Sequence, residues 1–108
     1  MSLIDNLEKM LADGKDDAML RFGLGNAYFQ EKNYEKAAEH LSRALEFDKG
    51  YSAAWKLLGR SLMQLGDLDT ARRTFEDGIE QADDKGDKQA VKEMQVFIKK
   101  IDKQQSRT

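Results

Sequence analysis

Apolar side chains return at three- and four-residue spacing in six stretches of this chain, and short segments containing Gly, Asp or Asn separate most of them. That spacing puts the apolar positions on one face of a helix, so six helices are expected. The first runs from about Ser2 to Ala12, with Leu3, Leu7, Met10 and Leu11 on one face, Ser2 as its N-cap and Gly14 as its stop. The second starts near Asp16 or Asp17, carries Leu20, Leu24, Ala27 and Tyr28, and ends around Lys32-Asn33. Asn33 suits both a left-handed turn residue and the cap of the third helix. The third runs to about Phe47, with Ala37, Leu41, Ala44 and Leu45 inward and Glu35, Lys36, Glu39 and Arg43 outward. The fourth covers about Ser52 to Leu65, and Gly66-Asp67 turns the chain tightly into the fifth, about Leu68 to Ala82. The last spans about Asp87 to Lys103 on a stripe of Ala90, Val91, Met94, Phe97, Ile98 and Ile101, and residues 104–108 are expected to fray.

The stripes also repeat. Leu24-Gly25 returns 34 residues later as Leu58-Gly59, and at the same offset Ala37 becomes Ala71, Leu41 becomes Phe75 and Ala44 becomes Gly78. A glycine inside a helix costs about 1 kcal/mol relative to alanine, so Gly25 and Gly59 imply the close approach of a neighbouring helix. Ala37 and Ala71 are the small residues expected opposite them. With Trp55, Leu58, Gly59, Gly66, Ala71 and Phe75 in one copy and Leu24, Gly25, Tyr28, Ala37 and Ala44 in the other, the chain resembles the tetratricopeptide repeat. It departs from that pattern at Arg21, where the family has Trp, at Leu41, where it has Phe, and at Lys49 and Asp83, where its closing Pro is missing. The resemblance implies an all-α fold, a right-handed superhelix of about six antiparallel helices in one domain over residues 1–108. Its parts would be a leading half-repeat (2–13), two full repeats (18–51 and 52–85) and a capping helix (87–103). Leu3, Leu7, Met10 and Leu11 fall in phase with Ala37, Leu41, Ala44 and Leu45. Allowing about two extra residues in the turn before the last helix puts Val91, Met94 and Ile98 in phase with Trp55, Leu58 and Leu62.

Composition narrows the function classes. The chain is 40% hydrophobic and 35% charged, with 18 basic and 20 acidic residues mixed along it, so no net field favours nucleic acid or lipid. The Lys99, Lys100 and Lys103 cluster sits where a helix dipole already favours cations. There is no cysteine, no basic leader followed by an apolar run and no stretch long enough to span a bilayer, which makes the cytoplasm the expected compartment. His40, the one histidine, is expected at the surface and has no second ligand or nucleophile in its pattern. Asp16-Asp17 and Asp83-Asp84 lie beside helix boundaries, where Asp serves caps and turns. No enzyme, metal or cofactor is therefore expected. Trp55 is assigned to packing.

The resemblance further implies that the first helix of each hairpin lines a concave surface. Family positions facing it fall on Met19, Phe22, Asn26 and Phe29, then on Ala53, Lys56, Arg60 and Met63, and with the two-residue shift on Gln89, Lys92, Val96 and Lys99. One end of this row is apolar and the other basic, which suits a protein partner offering an acidic, partly apolar peptide. Members of the family that clamp chaperone C-termini need a set of Lys, Asn and Arg residues, of which only Asn26 is matched; Phe22 and Leu57 stand at two of the other positions. Binding of such a terminus is not expected. The alternative is a self-associating structural protein, a homodimer formed through Met19, Phe22 or a terminal helix.

Overall fold

The computed structural model describes residues 2–106, in which side-chain caps start five of the six helices. These are α1 (Leu3–Ala12), α2 (Ala18–Gln30), α3 (Tyr34–Phe47), α4 (Ser52–Gln64), α5 (Leu68–Asp84) and α6 (Lys88–Gln105). Ser2 and Asp5 form a reciprocal capping box on α1, while Asp17, Asn33, Asp67 and Asp87 each accept the backbone N–H of the third residue of their helices. Three turns share one construction, in which a left-handed residue precedes the cap: Lys32-Asn33, Gly66-Asp67 and Gly86-Asp87. In each, the cap N–H returns to a carbonyl five residues back, at 2.9, 3.0 and 2.8 Å. The left-handed residue of the first turn is therefore Lys32 (φ 63°), in phase with Gly66, and not Asn33, whose φ is −92°.

Consecutive helices pack against one another, and α2, α4 and α6 also meet along one side, so hairpins stack into a short solenoid. No strand occurs among the described residues. The mid-helix glycines explain the hairpin contacts, with a correction to the expected partners. A Cβ at Gly25 would lie 2.5 Å from Leu41 Cγ, and one at Gly59 would enter the Phe75 ring. The glycines admit the large residues Leu41 and Phe75; Gly25 also faces Ala37, whose carbonyl would lie 3.4 Å from that Cβ, whereas the nearest atoms to Gly59 all belong to Phe75 and not to Ala71. All four of those residues are fully buried.

Two core clusters result, one around Leu24, Leu41 and Leu58, the other around Phe75, Met94 and Ile101. Trp55 and Leu62 pack against both. The Trp55 ring is half-buried, its Nε1–H donates to the Lys49 carbonyl at 2.7 Å, and its Cβ would sit 2.7 Å from a Cβ at Gly78. The last two helices run beyond the expected ends. Arg72 and Asp69 of α5 bind Asp102 (3.1 Å) and Gln105 (2.9 Å), which holds Gln104 and Gln105 in the helix instead of letting them fray. Residues 107 and 108 lie outside the described range.

His40 is a second correction, being 7% exposed and not a surface residue. Its Nδ1 lies 3.1 Å from an Arg21 guanidinium nitrogen, and Arg21 forms a two-pronged pair with Asp16 at 2.7 and 2.9 Å. An arginine can only donate, so Nδ1 accepts and the ring is neutral with its proton on Nε2, which points at Glu8 Oε1 at 3.8 Å. Tyr28 stacks on the ring at 5.5 Å and donates to the same carboxylate. Arg21, standing where the family has Trp, thus joins α2 to α3 through polar contacts. Burial, followed by the Arg21 charge, pulls the His40 pKa below its ordinary value, against the opposing pull of Glu8. A group lowered on folding binds fewer protons in the native state, so its stabilising effect is complete above pH ~6.5 and drains away as pH falls below that value. Urea midpoints should decline between pH 7 and 5, and His40→Gln should flatten that slope; an unchanged slope would remove His40 as its source.

Candidate peptide-binding face

The surface shared by α2, α4 and α6 is built around Arg60. Its guanidinium carbon lies 4.9 Å from the Phe29 ring centroid on α2 and 5.6 Å from that of Phe97 on α6, so one cation spans three helices between two aromatic rings. Phe29 is held in turn by an edge contact to Tyr34 at 5.3 Å, and Phe97 is stacked on the buried Phe75 at 5.3 Å. Among the described residues no carboxylate lies within ion-pair distance of Arg60, which is half-buried. Aromatic rings attract a guanidinium without accepting strong hydrogen bonds from it, so its N–H groups stay able to donate to a planar carboxylate.

Around this centre the expected row divides. Lys56 is half-buried and pairs with Glu93 of α6 at 3.2 Å, so the basic end is less positive than the sequence implies. Lys92 and Lys99 stand exposed on α6, and Met63 packs partly buried against the second core cluster. Phe22 stacks on Tyr51 at 4.9 Å. Met19, 77% exposed, and Asn26, also exposed, lie at the other end of the face, where they line a groove beside α1. The structure brings Phe29 and Arg60 together, while Lys56 is engaged by Glu93 and Phe22 by Tyr51. Sequence reasoning had Phe97 on the apolar stripe of the last helix and did not join it to Arg60; it missed Tyr51 and Glu93 as neighbours. Burial raises the Tyr51 pKa above its ordinary value, so its hydroxyl stays neutral at physiological pH. No group of three or more His, Asp or Glu side chains among the described residues is placed to hold a metal. None of the described helices is long and apolar enough to cross a membrane.

A solenoid of helical hairpins with an aromatic-held cation on the face of its first-position helices is, by architecture, a repeat-type scaffold. The sequence profile of the tetratricopeptide repeat matches residues 28–95, and the chain belongs to that family. It is 54% identical over 101 residues to the TPR repeat-containing protein PA0015 of Pseudomonas aeruginosa, covering 94% of this chain and 96% of that protein. The solution structure of protein BPP2914 from Bordetella parapertussis superposes with a TM-score of 0.85 at 42% identity, over 96% of this chain and 90% of the other. The second TPR domain of human RPAP3, solved in complex with the HSP70 peptide SGPTIEEVD, gives a TM-score of 0.74 at 29% identity, over 92% of this chain and 78% of that one.

Proposed function

We propose that this protein is a non-catalytic interaction module that holds an acidic, partly apolar peptide across α2, α4 and α6, with Arg60 as its main carboxylate contact. The observation that carries this reading is the Arg60 guanidinium seated between Phe29 and Phe97 with no protein carboxylate beside it among the described residues. A cation fixed in this way has already given up much of its side-chain freedom, so a bound carboxylate orders little that was mobile. The peptide-bound RPAP3 domain supports the general mode, since its ligand carries two Glu and a terminal Asp. Because most clamp residues are unmatched in this chain, the proposed ligand offers internal acidic side chains to Arg60, and Met19, Phe22, Asn26 and Met63 are proposed to contact its apolar or polar neighbours. Lys56, Lys92 and Lys99 extend the basic side of the face.

Selection of nine-residue displayed peptides on the immobilised protein tests this. Wild-type protein should enrich Asp- and Glu-containing sequences, and the strongest of these, resynthesised with a fluorophore, should lose about 10-fold or more in affinity for Arg60→Glu at unchanged helicity. Glu93→Gln, which releases Lys56, should act oppositely and tighten binding by about 2- to 5-fold. Enrichment without acidic bias, or full binding by Arg60→Glu, would sink the reading.

A further inference from the structure

The α1 helix has the surface of the second helix of a hairpin, and among the described residues no first helix lies over it. Leu3, Leu7 and Met10 fall in phase with Ala37, Leu41 and Ala44 of α3, all of which are 0% exposed in a helix packed between α2 and α4. The same positions of α5 are Ala71, Phe75 and Gly78, buried in the same way. In α1, Leu3 is 63% exposed and Met10 is 39% exposed, while Ile4, Leu7 and Leu11 pack partly buried on the core. Met19, Gly23 and Asn26 of α2 form the opposite wall, and the space between is a groove of about 620 Å³. Three of the largest exposed apolar side chains, Leu3, Met10 and Met19, gather here.

We propose that this groove seats one amphipathic helix from a partner protein, running parallel to α2 and carrying glycine or alanine at the turn that crosses Leu7. The argument is continuity with the hairpin interfaces of the chain itself. At the two later steps of the solenoid the equivalent groove is filled by α2 and by α4, and each meets the Leu7-equivalent side chain with a glycine, Gly25 against Leu41 and Gly59 against Phe75. Leu3 and Met10 are larger than Ala37 and Ala44, so the occupant also needs small residues on the flanking turns. A second folded copy does not meet that requirement. Its α1 stripe of Leu3, Leu7, Met10 and Leu11 holds neither glycine nor alanine, Gly25, Gly59 and Gly78 are already buried against Leu41, Phe75 and Trp55, and the half-buried Gly23 faces Leu7 as a wall of this same groove. Two α1 stripes would set large side chains against large side chains. This site is separate from the Arg60 centre, sharing with the face above only Met19 and Asn26 at its edge.

The test uses the full chain and a fluorescein-labelled, hydrocarbon-stapled peptide that copies residues 52–64 with Trp55→Ala and Leu62→Ala, so that Gly59 has small residues on both flanking turns. Saturable binding in the micromolar range is expected. Met10→Glu in the protein, at a position exposed enough to leave folding intact, should weaken it about 10-fold or more, as should Gly59→Leu in the peptide. Arg60→Glu should leave it unchanged, which separates this site from the acidic-peptide face. No saturation at millimolar peptide, or binding indifferent to both Met10→Glu and the peptide's Gly59→Leu, overturns the proposal. So does sedimentation showing a dimer of the free protein that Met10→Glu dissociates, since a second copy would then be the occupant.

Discussion

Phe75→Ala is expected to lower the stability of the fold by about 3–5 kcal/mol, measured as the shift in urea unfolding. Phe75 is fully buried, inserts over Gly59 and stacks on Phe97, so its removal leaves a void with walls on α4 and α6 that cannot close without moving both. Domains of this kind hold only about 5–15 kcal/mol in total, which makes the loss a large share of the whole. The companion change, Gly59→Ala, tests the same contact from the other side. Helix propensity alone would make it stabilising by about 1 kcal/mol. The new methyl instead enters the space of a ring already fixed against Phe97, and a net loss of about 1–3 kcal/mol is expected. Combined, the two changes should cost less than their sum, because Phe75→Ala empties the volume into which the methyl of Gly59→Ala would go. Strict additivity would show that Gly59 and Phe75 do not share the contact described.

Truncation after Gly86 should have a larger effect still. It removes Met94 and Ile101, both fully buried, along with Phe97, which stacks on Phe75. Each large buried side chain contributes about 1.5–3 kcal/mol, so their combined loss approaches the total stability of the domain. The shortened chain should show no cooperative thermal transition by circular dichroism and should bind a hydrophobic dye. A sharp transition at the full-length midpoint would mean that α6 is dispensable, and that the second cluster is held by α4 and α5 alone.

The helices were legible because their signals are local. A cap residue and the apolar stripe behind it lie within one or two turns, and Asp67 starts α5 where the pattern places a cap, while Asp87, expected as the first residue of the last helix, is its cap. The mid-helix glycines were legible as a demand for close approach, but the residue answering that demand was not. That Leu41 inserts over Gly25 beside Ala37 depends on the crossing of two helices, which periodicity does not encode. The same limit hid His40. Its partners Arg21 and Glu8 are on other helices, so a lone histidine among charged neighbours reads as solvated until α1, α2 and α3 are assembled. At the candidate face, sequence phase put Phe29 and Arg60 in one row. It could not show that Phe97 closes over Arg60, or that Glu93 reaches Lys56, because those pairs join positions 37 residues apart.

Trp55 is the only tryptophan of the chain, and it lies where the two core clusters meet, with its indole N–H held by the Lys49 carbonyl. The protein therefore carries a built-in optical gauge of its own seam. Ultraviolet emission, which responds to the wetting of an indole, would register a parting of the leading repeat from the trailing one even while every helix stayed wound. Circular dichroism would be blind to that event, and a gap between the two signals on heating would give the free energy that joins one repeat to the next.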